Sequence, residues 1–207
     1  GDTDGGGSWG IPDLNNGYHT WRGIQFYFAD DSSIKYANIS FAREAIFLDI
    51  GNNVTISNST ISKSFLEPIF IYGSTVNLSD VSITDFTYQG IIIMDAGAVA
   101  SLERVLISNT LPNPIDNFAI AVSPNTTLNI IDSVLDTGAN NGIAITAPLE
   151  MNIKNTVIKN YPFSVYDSGG AVAILDNVQL IDNGYGLFFE NYGSYPDSVY
   201  YVENSVI

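Results

Sequence analysis

The chain has 207 residues and no cysteine, and its 22 acidic and 7 basic side chains give a formal net charge of −15. So few basic residues exclude the basic surface that binds nucleic acid or anionic lipid. The absence of cysteine excludes disulfides, thiol nucleophiles and thiolate metal sites. With 45% apolar residues, the chain can form one large core.

Residues 1–22 begin without methionine and without an apolar signal segment. They resemble a processed mature start or the cut end of a longer chain, and we expect them to form an extended N-terminal entry or capping segment. His19 is the only histidine. No serine or aspartate partner is evident for it, so we expect it to pack near Trp21 rather than to belong to a catalytic triad.

From residue 36 onward a six-residue frame recurs: an apolar residue, any residue, a polar residue, two variable residues and an apolar residue. Its polar positions lie 20 residues apart from Asn38 to Asn58 and up to 28 residues apart from Arg104 to Asp132. Such regular repetition is typical of solenoid proteins. The eight copies have their polar positions at Asn38, Asn58, Asp80, Arg104, Asp132, Asn155, Asn177 and Asn204.

A second short segment accompanies each frame, with apolar residues in alternation and Gly, Asn, Asp or Pro at its ends. Examples are residues 45–48, 68–71, 90–93, 142–145, 162–165 and 186–189. This pattern predicts strands rather than helices. A period near 23 residues with three short strands is one coil of a parallel β-helix, whose coils stack about 4.8 Å apart.

The sequence therefore predicts an all-β, parallel β-helix domain of about eight coils over residues 23–207. Asparagine and aspartate tolerate the left-handed backbone of tight turns and bond neighbouring amides, so stacked copies form a turn ladder. The predicted ladder, whose role is structural, comprises Asn38, Asn58, Asp80, Asp132, Asn155, Asn177 and Asn204.

With its ladder and its Gly-Ile-x-Ile strands, the chain resembles the right-handed parallel β-helix superfamily, which has the pectin-lyase-like fold. The entry segment at residues 21–26 is similar to that of prokaryotic, especially archaeal, cell-surface β-helix proteins of the surface-layer or sheath type. The resemblance implies the right-handed fold. It leaves the activity open, because the superfamily contains lyases, hydrolases, epimerases, tailspikes and envelope proteins.

A search of the predicted outer positions finds no catalytic cluster. Asp49 and Glu190 are the only acids in the two outer columns that follow the Gly-Ile-x-Ile strands, and six coils, or about 29 Å, separate them. A glycosidase pair requires about 5 to 9.5 Å. Lys63 and Asp85 are neighbours in a turn column. We interpret them as a surface ion pair, and an acid–base couple is the alternative.

No metal site or cofactor is predicted either. Two acidic pairs, residues 2 and 4 and residues 30 and 31, lack the spacing of a calcium-binding repeat. We therefore expect the protein to be non-enzymatic, and polysaccharide lyase or glycoside hydrolase activity is the alternative that the resemblance implies.

Large apolar residues occupy outward positions in three successive coils. This predicted interaction stripe consists of Phe47, Phe70, Tyr72, Ile92 and Met94, and exposed apolar patches mark interaction sites. Three interpretations are open. Trp9, Ile11, Leu14 and Tyr18 of the entry segment cover the stripe, another subunit contacts it, or sugar rings stack on it.

Five N-x-S/T sequons occur, which are acceptors for glycans in secreted proteins. We expect Asn53, Asn77 and Asn125 to be possible glycosylation sites, whereas Asn38 and Asn58 are assigned to the ladder. Together with the low charge, these sequons favour an extracellular or cell-surface location.

We therefore predict a structural component of a cell envelope or surface assembly. It would associate with copies of itself through the stripe. The chain stops at Ile207 without a polar cap, so we expect either that it is an excised part of a longer protein or that the open coil end docks on another copy. Carbohydrate is the alternative partner, and a viral receptor-binding spike is a further alternative function. Nucleic-acid binding and membrane insertion are not expected.

Overall fold

The computed structural model describes residues 21–110, 118–136, 143–146, 150–167, 170–190 and 197–207. Every regular element in these ranges is a β-strand. In chain order the strands are β1 (Ile24–Phe26), β2 (Ser32–Lys35), β3 (Asn38–Ser40), β4 (Ile46–Leu48), β5 (Asn53–Ser64), β6 (Ile69–Tyr72), β7 (Thr75–Phe86), β8 (Ile91–Met94), β9 (Val99–Glu103), β10 (Leu106–Ser108), β11 (Phe118–Val122), β12 (Thr127–Ile131), β13 (Val134–Asp136), β14 (Ile143–Thr146), β15 (Glu150–Lys154), β16 (Val157–Lys159), β17 (Phe163–Asp167), β18 (Val172–Asp176), β19 (Gln179–Ile181), β20 (Tyr185–Phe189) and β21 (Val199–Glu203).

The strands form two parallel sheets that face each other across one core. The first sheet has eight strands in the order β1-β4-β6-β8-β11-β14-β17-β20, and the second has 13 strands that include the long, bent β5 and β7. Each strand pairs with the equivalent strand of the coil before and after it. The chain is therefore a parallel β-solenoid of about seven complete turns, close to the predicted eight coils.

Columns of branched apolar side chains fill the interior. One such column runs through Ile56, Leu78, Leu102, Ile130 and Ile153, all of them at most 2% exposed. Branched side chains suit the pleated strand and stack on their equivalents in the adjacent coils. At the corner before the first sheet the inward residues are small. A Cβ at Gly90 would lie 2.6 Å from the carbonyl oxygen of Ala119, so a larger side chain would push the coils apart.

The predicted ladder coincides with a turn in the left-handed region of backbone conformation. From Asn58 to Asn204 the six other predicted ladder residues have φ angles between 49° and 56°, where asparagine and aspartate are far better tolerated than most residues. Side chains bond along part of the column, since the Asn155 amide donates to Asp132 and the Asn177 amide to Asn155. Arg104 replaces an amide with a two-pronged bond to Asp80, and Asn204 donates to Asp176 instead.

Asn38 is wrongly placed by the predicted ladder. Strand β3 pairs Asn38 with Thr60 rather than with Asn58, and Tyr36 has the turn conformation, with φ of 56°. The register is set by the core, because Ile39 pairs with Ile61 and is only 5% exposed. The observed frame begins two residues earlier, at Ile34 rather than Tyr36, and only the packing distinguishes the two alignments.

A similar two-residue error affects two strands of the first sheet, β14 and β17. The repeat pattern aligned Ile143 with Ile120, whereas the structure pairs Ile120 with Ile145 and Ile145 with Val165. A shift of two residues keeps the same side chains on the same face of a strand. The alternating pattern therefore cannot reveal the error.

A column of buried hydroxyl groups, which the sequence analysis did not recognise, follows the ladder. The hydroxyl of Ser133 donates to the carbonyl of Ile131 and accepts the backbone N–H of Val105 from the preceding coil. Thr156 and Ser205 make equivalent bonds to their own coils and to the preceding ones. These groups satisfy backbone atoms that the tight turn leaves without a partner.

Asn52 provides the sharpest test of such side-chain support. It is 3% exposed, its amide donates to the carbonyls of Phe26 and Asp49, and its oxygen accepts the N–H of Ala29. We expect Asn52→Ala to lower the free energy of unfolding by about 3 kcal/mol, because three backbone groups lose their partner. The side chain of the adjacent Asn53 is exposed, and its amide donates a single hydrogen bond to Asp31.

Asn53→Ala is therefore the matched control and should change stability by less than about 0.5 kcal/mol. Urea denaturation followed by circular dichroism measures both values. Equal effects of the two substitutions would contradict the structural role assigned to Asn52.

Candidate functional site

The outer face of the first sheet carries one continuous column of side chains that reaches from its first to its last strand. In register these are Gln25, Phe47, Phe70, Ile92, Ala121, Thr146, Tyr166 and Phe188. After Gln25, large apolar or aromatic residues occupy the next three positions and the last two, and two small residues lie between them. The face is therefore uneven, with two raised regions about 14 Å apart, three strand spacings, between Ile92 and Tyr166.

The raised region nearer the N-terminus contains the predicted interaction stripe. Phe47 stacks on Phe70 with ring centroids 5.4 Å apart. Tyr72 and Met94 pair beside them and are 37% and 39% exposed. Ile92 differs from the expectation of an exposed residue, because its neighbours leave only 9% of it accessible.

The second raised region, the C-terminal aromatic cluster, consists of Phe163, Tyr166, Tyr185 and Phe188. Phe163 stacks on Tyr185 with centroids 5.1 Å apart, and Tyr166 stacks on Phe188 at 5.6 Å. The sequence pattern did not reveal this cluster, because the two-residue error placed Ser164 instead of Tyr166 in the outer column. Ser164 is in fact fully buried.

Stacking between coils limits what these rings present to a ligand. A ring that lies on its neighbour at 9° to 25°, as three of these pairs do, has one of its faces covered. Stacking on a sugar requires an uncovered ring face, so mutual stacking of the aromatic rings weakens the sugar-stacking interpretation. The stacked rings stabilise adjacent coils and leave partly exposed apolar surface at the sides.

A pair of acids lies at the corner that precedes the first sheet. Strand pairing places Glu44 and Glu67 at equivalent positions of adjacent coils, two residues before Ile46 and Ile69. Both are partly buried, and the Nε atom of Arg43 lies 4.0 Å from a Glu44 oxygen. Glu44 and Glu67 each stand one position before the repeated segments 45–48 and 68–71, outside the columns in which acids were sought from the sequence. The alignment of those segments would have revealed the pair.

The surroundings of this corner change the pKa of the Glu67 carboxyl. Burial raises the pKa of the Glu67 carboxyl above its ordinary value, and the nearby charge of Glu44 adds to the increase. The backbone amide of Glu67 and the Arg43 guanidinium act in the opposite direction. Two adjacent carboxyls, with the pKa of Glu67 raised, resemble the pairs that general acid and base chemistry uses.

The predicted ion pair between Lys63 and Asp85 is wrong. Among the ion pairs of the described residues it does not occur. The Lys63 ammonium lies over the ring of Phe41, 5.1 Å from its centroid, and Asp85 accepts a hydrogen bond from Thr110. Phe41 is the equivalent of Lys63 in the preceding coil, which brings the ring beneath the ammonium.

Other acids of the first sheet have structural partners. Glu190 accepts a hydrogen bond from the Tyr166 hydroxyl, and the buried Asp167 accepts one from Tyr200 at 3.0 Å. Within the described ranges no group of three or more histidine or acidic residues is arranged to hold a metal ion. His19, Asp2 and Asp4 lie outside those ranges, as do Trp9, Ile11, Leu14 and Tyr18.

The three predicted glycosylation sites have different surroundings. Asn53 is exposed, but its amide donates to Asp31 at 2.9 Å. Asn77 is partly buried near the start of β7, between Thr55 and Ser101 of the adjacent coils. Asn125 is exposed in the turn between β11 and β12.

The comparisons with known proteins give one match. A family model described as right handed beta helix region matches residues 22–207. No curated protein and no solved structure matches the chain. The matched family includes enzymes similar to pectate lyase as well as proteins without catalytic activity. In the described part of the chain, no helix has the length and apolar character to cross a membrane.

The raised pKa of Glu67 predicts how stability depends on pH. A carboxyl whose pKa is higher in the folded state stabilises the fold while it is protonated, and this contribution is lost as the pH rises through the folded-state pKa. Glu67→Gln should therefore increase the urea midpoint relative to the unmodified chain at neutral pH. The gain should shrink toward zero below the ordinary pKa of 4.5.

Gln89 occupies the equivalent position of the next coil, so an amide is compatible with this column. A midpoint difference that does not vary with pH would contradict the prediction.

Proposed function

Because the chain belongs to the right-handed β-helix family, we propose that it is a non-enzymatic structural domain of an extracellular surface assembly. In this proposal the outer face of the first sheet binds a second copy of the chain. The observation that supports this proposal is the partly exposed apolar surface around Phe47, Phe70, Tyr72 and Met94. Apolar surface of this kind gains free energy when a partner removes it from water.

The regular stacking of the coils supports an envelope or surface-layer role. A stack of coils presents the same face along its whole length, so lateral contacts repeat at regular intervals. The sequons and the low content of charged residues support an extracellular location.

The test of lateral association uses Tyr72→Ser combined with Met94→Ser. Both side chains are more than a third exposed, so the fold should tolerate the change. We expect the dissociation constant for self-association to rise about tenfold or more, since the apolar area lost is worth about 1–2 kcal/mol. Analytical ultracentrifugation and negative-stain electron microscopy measure it.

Ile131→Ser is the matched control, because Ile131 is 40% exposed on the second sheet. This control should assemble like the unmodified chain. Strictly monomeric protein at high concentration, or equal weakening by both variants, would refute association through the stripe.

A second candidate function follows from the pair of acids, namely hydrolysis of a polysaccharide at the corner of the first sheet. Glu44 and Glu67 belong to adjacent coils, whose strands lie about 4.8 Å apart. Retaining glycosidases hold their two carboxyls about 5–5.5 Å apart. Glu67, whose pKa is raised, would donate a proton to the leaving oxygen while Glu44 attacks the anomeric carbon and the bond between that carbon and the oxygen breaks. Water would then hydrolyse the ester formed with Glu44.

A panel of polysaccharides, with reducing ends as the readout, tests this second function. If it is correct, Glu44→Gln and Glu67→Gln should each reduce product release by about 100-fold or more. Glu103→Gln, on the second sheet, should have no effect. Unchanged release in either corner variant, or no release from any substrate, would exclude the corner as a catalytic site.

A further inference from the structure

One of the five sequons lies in a turn that holds its asparagine away from the rest of the coil. Asn125 precedes β12, is exposed and has a left-handed backbone with φ of 64°. The next residue, Thr126, is 1% exposed, and its hydroxyl donates to the carbonyl of Ser123 at 2.7 Å. This buried bond closes the turn, and Pro124 limits its flexibility. Asn125 is thus carried outward on a defined turn.

The neighbouring coil leaves room beside this asparagine. The residue next to it in the preceding coil is Gly97, whose N–H donates to the Asn125 carbonyl at 3.0 Å. Gly97 has no side chain, and a Cβ built on it would contact nothing within 4 Å. A bulky group on Asn125 therefore meets open space on this side of the turn.

The other four sequons lie in more crowded surroundings. Asn38 and Asn77 are strand residues with a side chain of the next coil beside them, about 4.8 Å away. Asn58 lies in the turn ladder between Tyr36 and Asp80. The amide of Asn53 is bonded to Asp31. Among the five, only Asn125 has a glycine as its described neighbour in the adjacent coil.

We propose that Asn125 is the site at which this protein carries an N-linked glycan. The inference rests on the extracellular location of the proposed function. The donor is an oligosaccharide linked to a lipid diphosphate, and a transferase of the secretory route catalyses the step. The Asn125 Nδ2 atom forms a bond to C1 of the reducing-end sugar and loses one proton. The bond between C1 and the phosphate oxygen breaks, and the lipid diphosphate leaves with the electron pair.

The full chain secreted from a eukaryotic host tests the proposal, with the host's own core oligosaccharide as the probe. Intact-mass spectrometry and glycopeptide mapping should find the glycan at Asn125. Asn125→Gln and Thr127→Ala should each remove its mass, and Thr127→Ser should retain it because the sequon survives. Asn77→Gln is the matched control and should leave the mass at Asn125 unchanged. Circular dichroism checks that every variant folds.

Unmodified Asn125 in the folded, secreted chain would overturn the proposal, whether or not another sequon is modified. This result is independent of the association test, which uses unglycosylated protein from a bacterial host. Failure to assemble there would refute the proposed lateral contact and leave the glycan assignment standing. Absence of the glycan would leave the assembly result standing.

Discussion

The hydrogen bonding of each coil to the next determines everything else in this molecule. Parallel strands stack about 4.8 Å apart, so every residue has an equivalent neighbour above and below it. A feature repeated in the sequence becomes a column in space. The core columns, the turn ladder, the buried hydroxyl groups and the aromatic stacks all result from this single constraint.

The turns keep the columns aligned, and polar side chains stabilise the turns. The left-handed turn position is occupied by residues as different as Tyr36, Asn58 and Arg104. The backbone conformation is therefore more constant than the residue type. Support comes instead from groups such as Ser133 and Asn52, which bond backbone atoms inside the coil. Short side chains with a hydrogen-bonding group can reach these atoms without occupying core volume.

The same constraint brings chemistry together on the outer face of the first sheet. Apolar residues and two acids lie within a few coils of each other, with Phe47 three residues after Glu44 and Phe70 three residues after Glu67. An apolar surface beside a partly buried carboxyl suits an interface with another protein, and it also suits a sugar site. The two proposed functions therefore concern one region of the molecule and differ in the role of Glu67.

The sequence by itself determined the fold, because its period and its alternation of apolar residues allow only a parallel solenoid. It also identified Phe47 and Phe70 as outward neighbours. The tertiary structure alone decided the register of β3, β14 and β17, since shifting a strand by two residues preserves its pattern and changes its neighbours. For this reason the outer position of Tyr166 became evident only when the coils were packed. The burial of Ile92 depends on the size of its neighbours in space, which a one-dimensional pattern does not show.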